Sequence, residues 1–239
     1  MQLIPIKTRV LIPPKDDLLA VLGESLPELQ EKDVVLISSK VVAINEGCAV
    51  RLEEADKNAL IKEAANLVIP RPYWGSPLTV AHHAFIGAAG IDESNGDGHY
   101  ILLPKDIFAS AQQLYNWLKE KFQLQELGVV VVDSRSSPFR FGATGVALSW
   151  WGIEPIEDCR GRSDLFGRSI QHERSNLVDG LASAATVLMG EVDECTPVVI
   201  ARDIPRLLYK DADTRDQLLV PFAEDTFRVL YEQYLESLD

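Results

Sequence analysis

Cysteine is scarce in this 239-residue chain: Cys48, Cys159 and Cys195 are scattered and share no paired spacing. That excludes a disulfide framework and a zinc knuckle, and suits a reducing cytoplasm. Histidine is scarce too, and the adjacent His82 and His83, if on a strand, point to opposite faces and cannot share a metal. No apolar run reaches the roughly 18–20 residues that span a bilayer. The start, Met1 to Ile6, lacks the basic head and long apolar core of a signal peptide. A cytoplasmic protein without a membrane partner is expected. Basic residues are outnumbered, 23 Lys and Arg against 36 Asp and Glu, for a net charge of −13. This argues against a nucleic-acid partner. A phosphorylated ligand would have to be met by divalent cations or clustered arginines; the acidic balance also serves plain solubility. There is no GxxxxGK[ST] loop and no GxGxxG loop, so a nucleotide would be held in a less common way. Repeats, low-complexity runs and linkers are absent, and a single unit over 1–239 is expected, with enough length for one large domain or two small lobes.

What is present centres on residues 127–168. Val129 to Val132 read as a strand buried on both faces, stopping at Asp133 and followed by Ser134. An acid at a buried strand end either caps a turn or belongs to a metal or phosphate site. Downstream, Asp158, Arg160, Gly161, Arg162, Asp164, Gly167 and Arg168 crowd into eleven positions, a density unusual for a plain connector.

In chain order, 2–12 read as a strand with a turn near Pro5, and Asp16-Asp17 start a helix. Residues 33–39 read as a second buried strand. The Ser38-Ser39-Lys40 turn after it holds phosphate or is ordinary, and Val41 to Gly47 run on as an extended piece. A helix is expected over 53–68 and a loop over 70–77, with Tyr73 and Trp74 either a ring-stacking platform or, the favoured reading, a cover on a core edge. Around Gly87 and Gly90 the backbone can approach another group closely. Asp92, Glu93, Ser94 and Asn95 then form either a hard-cation loop or an Asx-type turn. Tyr100 to Leu103 read as a short strand and 106–122 as an amphipathic helix. A helix over 173–188, with Leu177, Leu181, Ala184, Ala185 and Leu188 on one face, stops at Met189-Gly190. The loop carrying Glu191, Asp193 and Glu194 is a second candidate oxygen-ligand loop. PVVIAR (197–202) is the last buried strand, and the tail is helical from about 222 and an oligomer contact.

Several short pieces, in this order and spacing, resemble the coenzyme F-420-0:γ-glutamyl ligase family. They are the early DDL, the strand-Ser-Ser-Lys-Val-Val…Glu-Gly segment (34–47), Ala89 to Asn95, and Leu102-Leu103-Pro104. Val-Val-Asp-Ser with Phe139-Arg140…Gly142, Asp158…Gly161…Asp164…Gly167-Arg168, and Leu188 to Glu191 complete the set. The resemblance implies an α+β fold of mixed sheets with packed helices, a two-lobed subunit in an intertwined homodimer. It implies addition of L-glutamate, through its amine, to the carboxylate of a coenzyme. GTP (or ATP) and Mg²⁺ or Mn²⁺ at two sites are used, with K⁺ as a further candidate, and the course runs through an acyl phosphate. Asp92 and Asp133 would share one metal, and Ser134 and Glu191 hold the second. Arg9, Val10, Leu11, Ile12, Ser39, Lys40, Asn95 and the Met189, Gly190…Thr196 loop would contact the nucleotide. Asp133 carries catalysis, and Arg140 and Arg168, with Arg160 and Arg162, are candidate clamps for phosphates or carboxylates. The chain departs from the family at Ile44, where a nucleotide-contacting lysine is expected, at Ala88, where an asparagine is expected, and in the short 70–77 segment. These departures keep two alternatives in view: a folate-type poly-γ-glutamate ligase, and a nucleotide- or coenzyme-binding protein with weak catalysis.

Overall fold

Two strands, β2 (Val34–Ser38) and β8 (Gly128–Ser136), lie side by side in parallel at the heart of the fold. The computed structural model describes residues 1–73 and 75–238, with backbone alone for 236–238. In chain order the remaining elements are β1 (Gln2–Ile6), α1 (Leu18–Ser25), α2 (Ser39–Glu46), β3 (Ala49–Arg51), α3 (Lys57–Ala64), β4 (Leu67–Ile69), β5 (Leu78–Ala81), β6 (Ala84–Gly87) and β7 (His99–Ile101). Then come α4 (Ile107–Phe122), β9 (Ala143–Trp151), β10 (Ile156–Asp158), β11 (Arg174–Asn176), α5 (Leu177–Met189) and β12 (Val198–Arg202). The architecture is α+β with mixed sheets: a five-stranded sheet ordered β1-β12-β2-β8-β9, a three-stranded β4-β5-β6, and the pairs β3-β7 and β10-β11. Among the described residues no helix is long and apolar enough to cross a membrane, and all three cysteines are free thiols.

Val129 to Val132 are at most 1% exposed, because layers cover both faces of the central sheet. The β2–β8 register sets Ser38 opposite Val132, so the residues that follow each, Ser39 and Asp133, leave the core together. The β8–β9 register slips between Val131 and Val132, a bulge just before Asp133 of the kind that re-aims a side chain. Helix α4 is capped by the Asp106 side chain on Ala109 N–H, and Ile107, Ala111, Leu114 and Leu118 are buried as their spacing requires. Helix α5, capped by Asn176, packs so closely on β9 that a Cβ at Gly145 would strike the Ala182 carbonyl. Glycine there is a packing requirement.

Several expectations change. Residues 39–46 form helix α2, although Val41, Val42 and Ile44 favour strand. All three side chains are buried in the core, and that packing outweighs a propensity of a few tenths of a kcal/mol. Strand β8 continues through Asp133 to Ser136. The first strand ends at Ile6, with Pro5 tolerated because β1 is an edge strand. The 53–68 helix shortens to α3, started by Asp56, and Leu67 passes into β4. His82 and His83 form the β5–β6 turn, both at positive φ. The buried stripe of α5 is Val178, Leu181, Ala182, Ala185 and Met189, rotated from the expected one. The tail forms short 3-10 turns in place of an α-helix. It packs on its own chain: Tyr231 is 2% exposed and meets Phe85 and Phe222 edge-on. Tyr73 is almost fully exposed and covers no core edge, and Trp74 lies outside the described residues.

Candidate active site

The carboxyl ends of parallel strands are where open sheets place ligands, and here they open into a cleft of about 360 Å³. Six segments meet in it: Thr8 to Leu11 after β1, Ser38 to Val41 with Ile44, Asp92 with Ser94 and Asn95, Ile101 to Leu103, Val132 to Ser134, and Met189 to Pro197. The first turn of α2, with its free N–H groups, faces this space and favours negative charge.

Asp133 sits at the floor. Its Oδ1 accepts the Ser134 N–H at 2.7 Å. Burial pushes its carboxyl up to about 7, against the opposing pull of the Ser134 N–H, the Ser39 hydroxyl and Lys40. Asp92 adds to the upward push on Asp133. Asp92 itself is anchored: Ser94 N–H donates to its Oδ1 at 2.9 Å, and Lys40 Nζ stands 2.6 Å from its Oδ2. Burial raises the Asp92 carboxyl, but Lys40 and the Ser94 N–H outweigh it, and the net shift is downward. Lys40 Nζ also donates to the Ser94 carbonyl at 2.8 Å. The Asp92–Ser94 turn is therefore an Asx-type turn and a cation-facing one at once. Across the cleft Ser134 Oγ reaches Glu191 Oε2 at 3.4 Å.

Two carboxylates, one of them costly to charge, make a fitting seat for a hard divalent cation. Asp92 acts on Asp133 by charge, and Ser134 meets Glu191 through a hydrogen bond. Among the described residues no three His, Cys, Asp or Glu side chains converge as a closed metal cage.

The neighbouring backbone is fixed by contacts between distant segments. Asn95 Nδ2 donates to the Val192 carbonyl at 2.7 Å. Thr196 Oγ1 donates to the Met189 carbonyl at 2.9 Å, and Thr8 N–H to the Cys195 carbonyl at 2.9 Å. Arg9 is held by Asp16 through two bonds of 2.6 and 2.8 Å. The structure thus gathers Arg9, Val10, Leu11, Ser39, Lys40, Asp92, Asn95, Asp133, Ser134, Met189, Gly190, Glu191 and Thr196 around one space. Ile12 is not among them: its N–H is used by Asp16 at 2.9 Å and its side chain is half exposed.

The arginines divide. Arg140, at the tip between β8 and β9, and Arg168, in the loop between β10 and β11, do not line the cleft. Nor do Arg160 and Arg162, which are spent on acids close by in sequence. Arg160 Nε and Nη2 bind Asp158 at 2.5–3.0 Å, and Arg162 Nη1 binds Glu157 at 2.6 Å. Among the described residues Arg140 and Arg168 make no ion pair. Sequence reasoning missed Asp16 and Glu194 as organisers and did not pair Lys40 with Asp92. An Asp two residues before a Ser was a readable turn signal, but the lysine arrives from a segment 52 positions away. Ile44 lines the apolar side of the cleft. Ala88 takes a left-handed φ of 52°, a conformation that asparagine adopts more readily.

Residues 5–203 match the model of the family described as F420-0:Gamma-glutamyl ligase. The chain is 33% identical over 231 residues to the coenzyme F420:L-glutamate ligase of Methanothermobacter thermautotrophicus, covering 88% of this chain and 90% of that one. It is 34% identical over 220 residues to the protein of that name from Methanopyrus kandleri, covering 84% and 86%. With the one from Halorubrum lacusprofundi the identity is 36% over 214 residues, covering 79% and 81%.

Proposed function

Because the chain belongs to the F420-0:γ-glutamyl ligase family, we propose that its cleft joins the amine of L-glutamate to a carboxylate of an F420-0-type coenzyme, driven by GTP or ATP. The protein is an amide-bond-forming ligase. The observation that carries the reading is the meeting of Asp92, Asp133, Ser134 and Glu191 beside Lys40, from segments scattered over more than half the chain.

Asp92 with Asp133, and Ser134 with Glu191, would each hold one Mg²⁺ or Mn²⁺. Pairs of side chains suit Mg²⁺, which takes one or two carboxylates and completes its shell with substrate phosphates and water. When bound, such ions neutralise phosphate charge during transfer. Lys40, the N-terminal turn of α2, Arg9 to Leu11, Asn95 and the loop from Met189 to Thr196 hold the nucleotide. An oxygen of the coenzyme carboxylate attacks the γ-phosphorus. An O–P bond forms and the bond to the nucleoside diphosphate breaks. The glutamate amine then attacks the acyl carbon. The N–C bond forms, the C–O bond to phosphate breaks, phosphate leaves, and the nitrogen gives up a proton.

Arg140 and Arg168, which pair with no acid among the described residues, are assigned to substrate carboxylates across a homodimer. Phe139, Phe141, Leu165 and Phe166 beside them are each more than nine-tenths exposed. They form the apolar surface a second copy would cover.

The test is an incubation with glutamate, Mg²⁺ or Mn²⁺, GTP or ATP, and either F420-0 or a reduced folate monoglutamate, read by mass spectrometry. A glutamyl addition to F420-0 is expected. Addition to the folate alone would move the acceptor. No addition to either, with no metal-dependent nucleotide binding, would remove the ligase reading.

A further inference from the structure

Residues 190–197 have no helix or strand of their own, yet they deliver Glu191 to Ser134 and the Val192 carbonyl to Asn95. The loop is organised around one of its own side chains. Gly190 lies at φ 74°, ψ −179°, a region open essentially to glycine alone. A Cβ there would run into the Glu194 carboxylate. Val192 N–H donates to Glu194 Oε2 at 2.9 Å. Together with the N–H groups of Glu194, Asp193 and Glu191 it holds that carboxyl below the ordinary glutamate range. Successive amides turned inward make a concavity for an anion, and here the loop fills it from within. Among the described residues the polar partners of the carboxylate are all donors. An acceptor-only group therefore fits, whereas an amide would set N–H against N–H on one side.

We propose that Glu194 is a positioning residue of the ligase: its carboxylate, seated over Gly190 and gripped by the loop amides, fixes the loop so that Glu191 and the Val192 carbonyl meet Ser134 and Asn95. The inference rests on the ligase reading. Glu194 acts through Glu191 on the metal and through the loop backbone on the nucleotide.

Wild type, Glu194→Gln, Glu194→Ala and Glu194→Asp are compared in three ways. Mn²⁺ titration is followed by electron paramagnetic resonance, deuterium exchange of residues 189–197 is measured, and KM for the nucleotide is separated from kcat. In the Gln and Ala variants Mn²⁺ affinity is expected to fall and nucleotide KM to rise by about 10-fold or more, as for residues that orient a metal ligand. The kcat stays within about 3-fold, exchange at 191–194 quickens, and Asp restores part of the loss. Added formate, filling the vacated amides, restores part of the KM in Glu194→Ala and none in Glu194→Gln. Faster exchange with unchanged metal affinity and KM would leave Glu194 a purely structural residue and overturn the proposal. Tighter nucleotide binding in Glu194→Ala would also overturn it, because the amides would then be a phosphate seat that Glu194 blocks. If the wild-type protein adds no glutamate, the ligase reading fails by itself, while the Mn²⁺ titration and exchange still decide whether Glu194 sets the loop.

Discussion

The loop at 157–168 and the cleft are both rich in charge, but they are wired differently. In the loop Arg160 finds Asp158 two residues away and Arg162 finds Glu157 five residues away. In the cleft Ser134 meets Glu191 across 57 positions, Lys40 meets Ser94 across 54, and Asn95 meets Val192 across 97. Opposite charges close in sequence satisfy one another in solvent, where screening leaves such pairs little to contribute. Charges brought together by strand register have no local partner to retire to. They stay half-buried and able to act on a ligand. Density along the chain is thus a poor guide to a site, and convergence in space a good one.

The sharpest way to break this contrast is Asp133→Asn. Turnover should fall by about 10³-fold or more, as expected when a group that organises transition-state charge is lost, with the circular dichroism spectrum unchanged. Retained activity would remove Asp133 from the site. Lys40→Met should lower kcat/KM by about 10²-fold, because Asp92 then loses the cation that holds its carboxyl down. A steady-state assay at saturating metal would reveal it.

A stability measurement sharpens the same comparison. The folded-state value of Asp133, about 7, lies above its ordinary 3.8. The folded protein therefore keeps a proton there that the unfolded chain releases. Stability from this group falls as pH rises from about 4 to about 7 and then levels off. In chelator, the Tm of Asp133→Asn should gain on wild type across that window, and saturating Mg²⁺ should shrink the gap. A gap that does not depend on pH would contradict the burial argument. The smallest effect is expected in the loop: Arg160→Ala should alter activity by less than about 3-fold and leave Tm nearly unchanged, because an ion pair in solvent is screened. A large loss there would put the loop on a par with the cleft.

Much of the site was legible because short motifs carry it: Val-Val-Asp-Ser, Ser-Ser-Lys, Asp-Glu-Ser-Asn and Met-Gly-Glu all deliver residues to the cleft. The valine run and the 106–122 helix were legible from burial pattern and period. Helix α2 was not, since β-branched residues read as strand until the core that buries them is known. The Asn95–Val192 and Lys40–Asp92 contacts were not, since no local pattern encodes a partner reached through strand order. The four arginines looked equivalent along the chain, and only pairing separates Arg160 and Arg162 from Arg140 and Arg168.

The slip between Val131 and Val132 makes β8 a segment that counts its residues. A one-residue insertion or deletion upstream of it would exchange the two faces of the strand and turn Asp133 away from Ser39 and Asp92. The connection between β10 and β11 is exposed along most of its length and keeps a register of its own, with Gly161 N–H on the Ile170 carbonyl and Asp164 N–H on the Arg168 carbonyl, each at 2.8 Å. Length variation during divergence, and engineered insertions such as affinity tags or reporter peptides, should therefore be rejected between Leu127 and Ser134.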